Sequence, residues 1–385
     1  MTTTLQMKFK ALGTEVASCV LERNAHVEMA LLALLSGEHF LLLGAPGGAK
    51  SMFCREITRR IDSARYFEKL LTQFTEPSEV FGPVDLQKLS DEGVYTRKSN
   101  GAMTSAHIAF VDEVFKANSA ILNSFLTLIN ERLYHEVGSE PVKVPLLMLL
   151  GASNETPEDK SLRAFYDRFL IKMLAPYCVE ESSFEQLVTR TFGESTITAS
   201  VTIDEVKQAQ AEVKQVKMSK AAVQSLKDLK LALDTEGMQV SDRKWVQLAK
   251  LLRAIAWLDD RQLVNSDDLE ILVHVLWTDV KEIRAIERIV YKIANPLNLR
   301  AIKFEDKARE VYEKRPQDNA ADFMNRLENV VQQITDIANA LKDEIARSKT
   351  KRVQRANEAY EQIAKWHNEL AQIALKRTAR MTLAK

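Results

Sequence analysis

The chain has 385 residues, of which 46% are hydrophobic, and this length and composition predict a large core divided over two or three domains. Its 53 basic and 53 acidic residues balance, so the net charge gives no support for nucleic-acid or membrane binding. No apolar run approaches the roughly 20 residues of a membrane-spanning helix, and residues 1–8 lack the apolar core of a signal peptide. Cys19, Cys54 and Cys178 are too few and too scattered for a disulfide framework or a zinc site, so we expect reduced cysteines in a cytoplasmic protein.

A glycine-rich segment follows the first predicted strand, 39–43, and reads Gly44-Ala45-Pro46-Gly47-Gly48-Ala49-Lys50-Ser51. Glycines let backbone N–H groups turn toward a phosphate, and a helix that begins near Lys50 would direct its positive end there. Lys50 would reach the β- and γ-phosphates, and the Ser51 hydroxyl would bind Mg²⁺. Ala49 stands where a second glycine is usual, which is tolerable if its φ stays negative. For this loop alone, a glycine-rich turn without a ligand is the alternative.

Two adjacent carboxylates end the short apolar strand 108–113, Ile-Ala-Phe-Val-Asp-Glu. In a parallel sheet the carboxyl ends of the strands face the ligand. Asp112 would therefore hold the Mg²⁺ shell and Glu113 would polarise the attacking water. Two acids at the end of a buried strand would be costly without a metal or substrate nearby.

Five apolar runs suit buried parallel strands and alternate with helical stretches: 39–43, 66–71, 107–111, 146–151 and 169–174. They predict an α/β fold, a doubly wound parallel sheet of five strands, over residues 1–185. Between the strands, 117–132 has the apolar spacing of a helix. Turn residues in 84–106 and 133–145 predict two inserted hairpins.

Helical periodicity dominates the remainder, over 202–235, 241–261 and 266–294. We expect an all-α lid domain over 186–296, closed by Pro296, and a C-terminal element over 297–385. Heptad-like spacing in this element predicts two long antiparallel helices joined near 348–350, bundled with a shorter helix over 302–314. The basic chain end is either a solvated helix face or a contact for an acidic partner; its residues are Lys376, Arg377, Arg380 and Lys385.

Three further polar residues lie where a phosphoryl-transfer site would need them. Asn154 ends the fourth strand and could orient the water beside Glu113, although such an asparagine is often only a turn residue. Arg168 precedes the fifth strand and could enter a neighbouring subunit as an arginine finger, with a local salt bridge to Asp167 as the alternative. Ser241 would cap a lid helix, and Arg243 beside it either folds back over the phosphates or lies on the surface.

The motifs together resemble the MoxR family of AAA+ ATPases, and its RavA-like branch most closely. The resemblance covers about residues 10–295 and rests on seven segments in order besides the glycine-rich loop: Glu79-Val-Phe-Gly-Pro83, Phe110-Val-Asp-Glu-Val-Phe-Lys-Ala117, Ile121-Leu-Asn123, Ile129-Asn-Glu-Arg132, Ala152-Ser-Asn-Glu155, Tyr166-Asp-Arg-Phe169 and Val240-Ser-Asp-Arg243. Alanine before the motif lysine is usual in this family.

The resemblance implies a role for each candidate. Lys50 and Ser51 would be Walker A residues and Asp112 and Glu113 Walker B residues. Asn154 would be sensor 1, Arg168 the trans-acting finger, with Arg163 the alternative, and Arg243 sensor 2. The two inserted hairpins would face the pore of a ring, and the C-terminal helices would form the triple-helical element of the RavA-like branch. The β-rich module of that element has no room here, since only Arg315–Asp322 joins the helices.

The resemblance also implies ATP or ADP with Mg²⁺ as cofactors and a homo-hexamer that remodels or activates a client protein with a von Willebrand A-domain partner. The alternative is a nucleotide-gated scaffold whose C-terminal helices bind a partner while hydrolysis only times release. A helicase is disfavoured because the insert 87–100 carries few basic residues, so we expect no nucleic-acid partner and no membrane insertion.

Overall fold

The computed structural model describes residues 4–135, 140–157, 160–189, 196–317, 322–348 and 352–383, and their side chains except at 160–161 and 376–383. The strands, in chain order, are β1 Phe40–Leu43, β2 Ile61–Asp62, β3 Tyr66–Leu70, β4 Ile108–Asp112, β5 Leu133–Tyr134, β6 Val142–Lys143, β7 Met148–Ser153, β8 Ile171–Leu174, β9 Val201–Thr202, β10 Lys217–Met218 and β11 Leu263–Val264.

The helices are α1 Leu5–Cys19, α2 Asn24–Ser36, α3 Lys50–Thr58, α4 Pro77–Phe81, α5 Leu86–Glu92, α6 Ser119–Glu131, α7 Lys160–Tyr166, α8 Glu181–Thr189, α9 Ile203–Gln215, α10 Lys220–Thr235, α11 Asp242–Leu258, α12 Ile283–Ala294, α13 Pro296–Glu313, α14 Phe323–Arg347 and α15 Gln354–Leu383. Short 3₁₀ helices cover Met103–Ser105, Val114–Lys116, Ser266–His274 and Val280–Glu282.

The core is a five-stranded parallel sheet in the order β3-β4-β7-β1-β8. The five predicted strands are confirmed, each within two residues at its start and end. The strands β1 and β4 are buried almost along their whole length, which explains their continuous apolar sequence. All five carboxyl ends share one edge of the sheet, and this edge gathers the candidate site residues Lys50, Asp112, Glu113 and Asn154.

The two insertions differ from each other. Within 84–106 the predicted hairpin is wrong in detail, because Asp85 caps a helix, α5, that ends at Gly93 with φ +68°. Only a single antiparallel bridge, Val84 to Arg97, closes the base of this insert. The turn residues at 91–93 therefore end a capped helix and do not form the turn of a hairpin. Over 133–145, β5 and β6 pair antiparallel as a hairpin, and its tip at 136–139, including Gly138, lies outside the described residues.

Contacts divide the chain into two compact units, 1–223 with 240–279, and 224–239 with 280–385. This division does not follow the predicted boundaries at 185/186 and 296/297. In the first unit, α9 and α11 pack on α2, and β9 pairs with β2, so that 201–215 and 242–258 join the α/β core. The lid region is confirmed as helical, interrupted by the short β10–β11 pair and by 3₁₀ turns.

The second unit contains the C-terminal bundle of α13, α14 and α15, whose apolar faces form one hydrophobic cluster. Pro296 begins α13 instead of closing the preceding region, because proline is well suited to the first turn of a helix. The predicted shorter helix therefore starts six residues earlier than expected. The joints at 318–321 and 349–351 and the basic side chains at 376–385 lie outside the described residues. None of the described helices is both long and apolar enough to cross a membrane.

Candidate active site

The glycine-rich loop joins the carboxyl end of β1 to the amino end of α3. Gly44 allows a close approach, since a Cβ there would lie 2.3 Å from the Ala175 carbonyl oxygen. Gly47 has φ +80° and Ala49 has φ +57°, both left-handed. The expectation of a negative φ at Ala49 is therefore wrong. An L-residue in this conformation carries strain of about 1–2 kcal/mol, and strain of this kind is concentrated at ligand-binding turns.

Lys50 is the first residue of α3 and its side chain lies against the loop, with the residue only 7% exposed. Its ammonium donates to the Gly44 carbonyl at 2.6 Å and to the Asn154 amide oxygen at 3.2 Å. Burial lowers the pKa of Lys50, while Asp112 and Glu113 act in the opposite direction. The lysine is thus held by carbonyl and amide oxygens at the edge where an anionic phosphate would bind.

Asn154 connects the Lys50 ammonium to the Glu113 carboxylate. It follows β7 directly, and its amide nitrogen donates to Glu113 Oε1 at 2.5 Å while its oxygen accepts from Lys50. Glu113 has φ +51° and lies 3.3 Å from the Lys116 ammonium. A side chain with one donor and one acceptor engaged in this way fixes the spacing between the Lys50 ammonium and the Glu113 carboxylate.

Ser51 and Asp112 provide the oxygen atoms that would hold Mg²⁺. Ser51 follows Lys50 in the first turn of α3, and Asp112 ends β4 with its Oδ1 accepting from the Glu113 N–H at 2.9 Å. No cluster of three or more His, Cys, Asp or Glu side chains suited to a metal is found among the described residues. One carboxylate and one hydroxyl fit Mg²⁺, which in nucleotide sites takes its other ligands from phosphates and water.

Arg168 and Arg243 lie together at the opposite edge of the sheet. They line a cleft of about 460 Å³ with Glu38, Arg132 and Lys250, beside the residues that lead into β1. Burial, and next the Arg243 guanidinium, lower the pKa of Arg168, whose Nε has no hydrogen-bond partner among the described residues. Two adjacent guanidiniums with a buried unpaired donor are suited to an anion.

The helix that carries Arg243 is fixed to the start of β1. Glu38, 5% exposed, accepts from Gln247 at 2.6 Å and from Lys250 at 3.0 Å, and both donors are on α11. Arg243 itself donates to Asn130 at the end of α6. These contacts lie before β1 and the phosphate loop lies after it, so Arg243 is placed away from the phosphate loop of its own chain, and its role stays a prediction.

Arg132 and His39 form the floor of the cleft. Arg132 has φ +58° and donates to the carbonyls of Ile129 and Gly37, which satisfies one acceptor at the end of α6 and one at the end of α2. His39 accepts from Leu149 N–H at 2.9 Å, and burial and the nearby Arg132 lower its pKa well below the ordinary value. The imidazole is therefore neutral at physiological pH, and the positive charge of the cleft comes mainly from its arginines, since Lys250 is paired with the Glu38 carboxylate.

Residues 7–218 match the family model of the MoxR domain described in MoxR-vWA-β-propeller ternary systems, and residues 221–290 match an AAA lid domain. The chain belongs to the MoxR family of AAA+ ATPases.

Relatives of this MoxR chain include two uncharacterized proteins of Methanocaldococcus jannaschii. One is 39% identical over 283 residues, 73% of this chain and 74% of the relative, and the other is 38% identical over 288 residues, 75% of each. A structural protein of the Acidianus two-tailed virus is 31% identical over 172 residues, 44% of this chain and 28% of that protein. A crystal structure of a provisionally assigned ATPase from Cytophaga hutchinsonii has the same fold, with a TM-score of 0.61 and 19% identity over 76% of this chain and 95% of that one.

Sequence reasoning missed Glu38, Gln247 and Lys250, which fix α11 of the MoxR chain to the start of β1. A signal was present, since Glu38 and His39 stand directly before an apolar strand, where a buried charge needs a partner. The partner on α11 is more than 200 residues away, and no local pattern connects the two positions. Arg163, the alternative finger, lies exposed on α7.

Proposed function

We propose that this MoxR chain is the ATP-hydrolysing subunit of a hexameric ring whose active sites are shared between adjacent copies. The observation that carries the proposal is the separation of the site residues. Lys50, Asn154 and Glu113 meet at the carboxyl edge of the sheet, whereas Arg168 and Arg243 meet beyond the amino end of β1. A head-to-tail contact between identical copies would bring one edge to the other, and such contacts close into rings.

The chemistry follows from the trio at the carboxyl edge. Lys50 would neutralise charge on the β- and γ-phosphates, and Glu113 would take a proton from the water that attacks the γ-phosphorus. Asn154 would hold the Glu113 carboxylate at its observed distance, so that the base is oriented before the substrate arrives. Mg²⁺ held by Ser51 and Asp112 would neutralise phosphate charge. Arg168 of the adjacent copy, together with its Arg243, would stabilise the negative charge that develops on the transferred group.

The ring would act on other proteins. The matching family description names systems that combine a MoxR domain with a von Willebrand A domain and a β-propeller, and this supports a von Willebrand A-domain partner. The three-helix bundle of α13–α15 supports placement in the RavA-like branch. We infer that ATP hydrolysis drives remodelling or activation of a client protein that the partner presents.

Steady-state ATPase measurements test the proposal directly. Glu113→Gln removes the base and should reduce turnover by about 10²–10⁴-fold, while Arg168→Ala should reduce it by about 10³-fold or more. Arg163→Ala is the matched control, because this nearby arginine is exposed on α7, and its turnover should stay close to that of the wild type. Normal turnover in both Glu113→Gln and Arg168→Ala would falsify the proposed function.

Oligomeric state and partners need a second experiment. Native mass spectrometry of a pull-down with ATP and the Glu113→Gln variant should show six copies together with a von Willebrand A-domain protein. A strictly monomeric chain under these conditions would contradict the shared site.

The scaffold alternative has one observation in its favour, the separate hydrophobic cluster of the C-terminal bundle. Because α13 shares this cluster with α14 and α15, a deletion that tests it has to start at Pro296. A scaffold would lose its partner and keep full ATPase activity after this deletion. A motor that needs the bundle for coupling would lose client activation even where partner binding persists.

A further inference from the structure

A group of aromatic rings connects the two halves of the proposed site within one chain. Phe115 lies in the short 3₁₀ turn that follows Glu113. Its ring meets the Phe165 ring edge-on, with 6.1 Å between the centroids, and lies 5.8 Å from the Tyr166 ring. Aromatic pairs at these separations stabilise each other beyond the area that they bury. Because Phe165 and Tyr166 end α7 and Arg168 follows two residues later, Phe115 contacts the segment that leads to the Arg168 guanidinium.

The turn that carries Phe115 is closely bonded to the Glu113 side of the site. Glu113 has φ +51°, and its carbonyl accepts from the Lys116 N–H at 2.8 Å. The turn packs on β7, and Asn154, which follows β7, donates to the Glu113 carboxylate. The place of the Phe115 ring is therefore determined by the same short piece of backbone that positions Glu113.

The segment before β8 is held by ring contacts and by bonds of its own backbone. Phe165 stacks on Phe125 of α6 at 5.8 Å, and the Tyr166 hydroxyl donates to the Thr278 carbonyl at 2.9 Å. Arg168 donates its N–H to the Phe165 carbonyl at 3.0 Å, so the backbone of Arg168 moves with Phe165. Among the described residues the Arg168 Nε has no hydrogen-bond partner. The position of the guanidinium therefore depends largely on this backbone and on the rings that hold it.

We propose that Phe115 is a positioning residue for Arg168, which it holds in the place that the adjacent copy requires. This inference rests on the proposed function, since it requires Arg168 to act on the nucleotide of the neighbouring copy. Phe115 stands two residues after Glu113, so its place in the sequence alone would assign it to the half of the site that contains Glu113. Its ring contacts assign it to the half that contains Arg168.

ATP binding and turnover of the full-length protein provide the first test. Phe115→Ala should keep its affinity for Mg²⁺–ATP within about 3-fold of the wild type, because the phosphate loop is unchanged. Its turnover should fall by about 10- to 100-fold, since a displacement of about 1 Å in a catalytic group can cost about 10²-fold. Phe115→Tyr keeps the ring and should restore most of the turnover. Phe304→Ala removes a partly buried ring from the C-terminal bundle and is the matched control, with turnover close to that of the wild type.

Mixed rings show which half of the site Phe115 supports. A Lys50→Ala chain keeps its arginines, and a Phe115→Ala chain keeps its phosphate loop. In an equal random mixture about one interface in four joins these two intact halves, so about a quarter of wild-type activity should return. A mixture of Phe115→Ala with Arg168→Ala should stay nearly inactive, because both changes fall on the arginine half. A residue that supports only Glu113 would give the opposite pattern.

The outcomes separate this inference from the proposed function. Recovery with Arg168→Ala, no recovery with Lys50→Ala, or normal turnover of Phe115→Ala alone each overturns the role of Phe115 while the shared site stands. If Phe115→Ala does not bind ATP, Phe115→Leu replaces it in the same mixtures, since leucine fills most of the space without the ring. If the wild type does not hydrolyse ATP, the proposed function itself fails and this inference fails with it.

Discussion

The position of Arg243 predicts the outcome of a subunit-mixing experiment. If Arg243 serves the adjacent copy, as we propose for it and for Arg168, then Lys50→Ala and Arg243→Ala damage opposite halves of the shared site. Each variant alone should be nearly inactive. In a mixed ring, some interfaces join the intact phosphate loop of an Arg243→Ala chain to the intact arginines of a neighbouring Lys50→Ala chain. Such an interface contains a complete site.

The expected size of the recovery follows from the geometry. Glu38 and His39 precede β1 and Gly44 follows it, so the four residues of the strand, Phe40–Leu43, place about 13 Å between the two edges. Arg243, with α11 bonded to Glu38, is therefore remote from Lys50 of its own chain. In an equal random mixture, about one interface in four combines an intact loop with intact arginines, whatever the number of copies in the closed ring. About a quarter of wild-type ATPase activity should return.

The assay is the steady-state ATPase rate of the two variants, each alone and after co-expression with separate affinity tags. The mixture of Arg168→Ala with Arg243→Ala is the reciprocal control and should stay inactive, because both changes fall on the same half. The reverse pattern, recovery in the Arg168/Arg243 mixture and none in the Lys50/Arg243 mixture, would mean that Arg243 acts on its own chain. That result would refute the placement of the two arginines in one cleft.

The remaining predictions concern single positions. Gly44→Ala would place a Cβ 2.3 Å from the Ala175 carbonyl oxygen, so it should weaken both ATP and tripolyphosphate binding, as titration calorimetry would show. Burial lowers the pKa of His26 to about 4 from 6.5, so the unfolded chain binds the proton more readily. This contribution to stability is complete above pH 6.5 and is lost as the pH falls toward 4. Between pH 7.5 and pH 5.5 the wild type should lose about 1.4 kcal/mol more of its free energy of unfolding in urea than His26→Gln does. Glu305 is buried and bonded to Arg284, Arg309 and Arg355, and Glu305→Ala should lower the free energy of unfolding by about 3–5 kcal/mol; a loss below 1 kcal/mol would contradict the network.

The fold was largely predictable because its signals are local. Each buried strand has a continuous apolar run, and the apolar face of α6 is visible at Ile121, Leu122, Phe125, Leu128 and Ile129, all of which are buried. The sequence wrongly predicts a hairpin in the insert at 84–106, because Asp85 and Gly93 also suit the start and the end of a helix. The apolar pattern there is too short to distinguish a helix from a hairpin. Pro296 was misplaced for a similar reason, since proline marks both the end of one helix and the first turn of the next.

The candidate site was predictable only where its residues end a strand. Lys50, Asp112, Glu113 and Asn154 each follow an apolar run, and parallel strands bring their carboxyl ends together without further information. The position of Arg243, in contrast, depends on how α11 packs on α2 and on the bonds from Gln247 and Lys250 to Glu38. Local sequence does not show these contacts. The left-handed φ at Ala49 and Glu113 likewise depends on the surrounding chain, because neither alanine nor glutamate favours this conformation.

The same topology explains why Arg168 and Arg243 lie apart from Lys50 and Glu113. In a parallel sheet, residues that follow strands lie at one edge and residues that precede strands lie at the other, so one chain cannot bring Arg168, which precedes β8, to Glu113, which follows β4. Among the described residues the Nε of Arg168 has no hydrogen-bond partner, and burial and the neighbouring Arg243 guanidinium lower the pKa of Arg168, so the two arginines form a cationic pair. Under the proposed function, hydrolysis is therefore conditional on assembly: an isolated chain can bind a nucleotide through Lys50, but it lacks the arginines that would stabilise the charge developing during transfer.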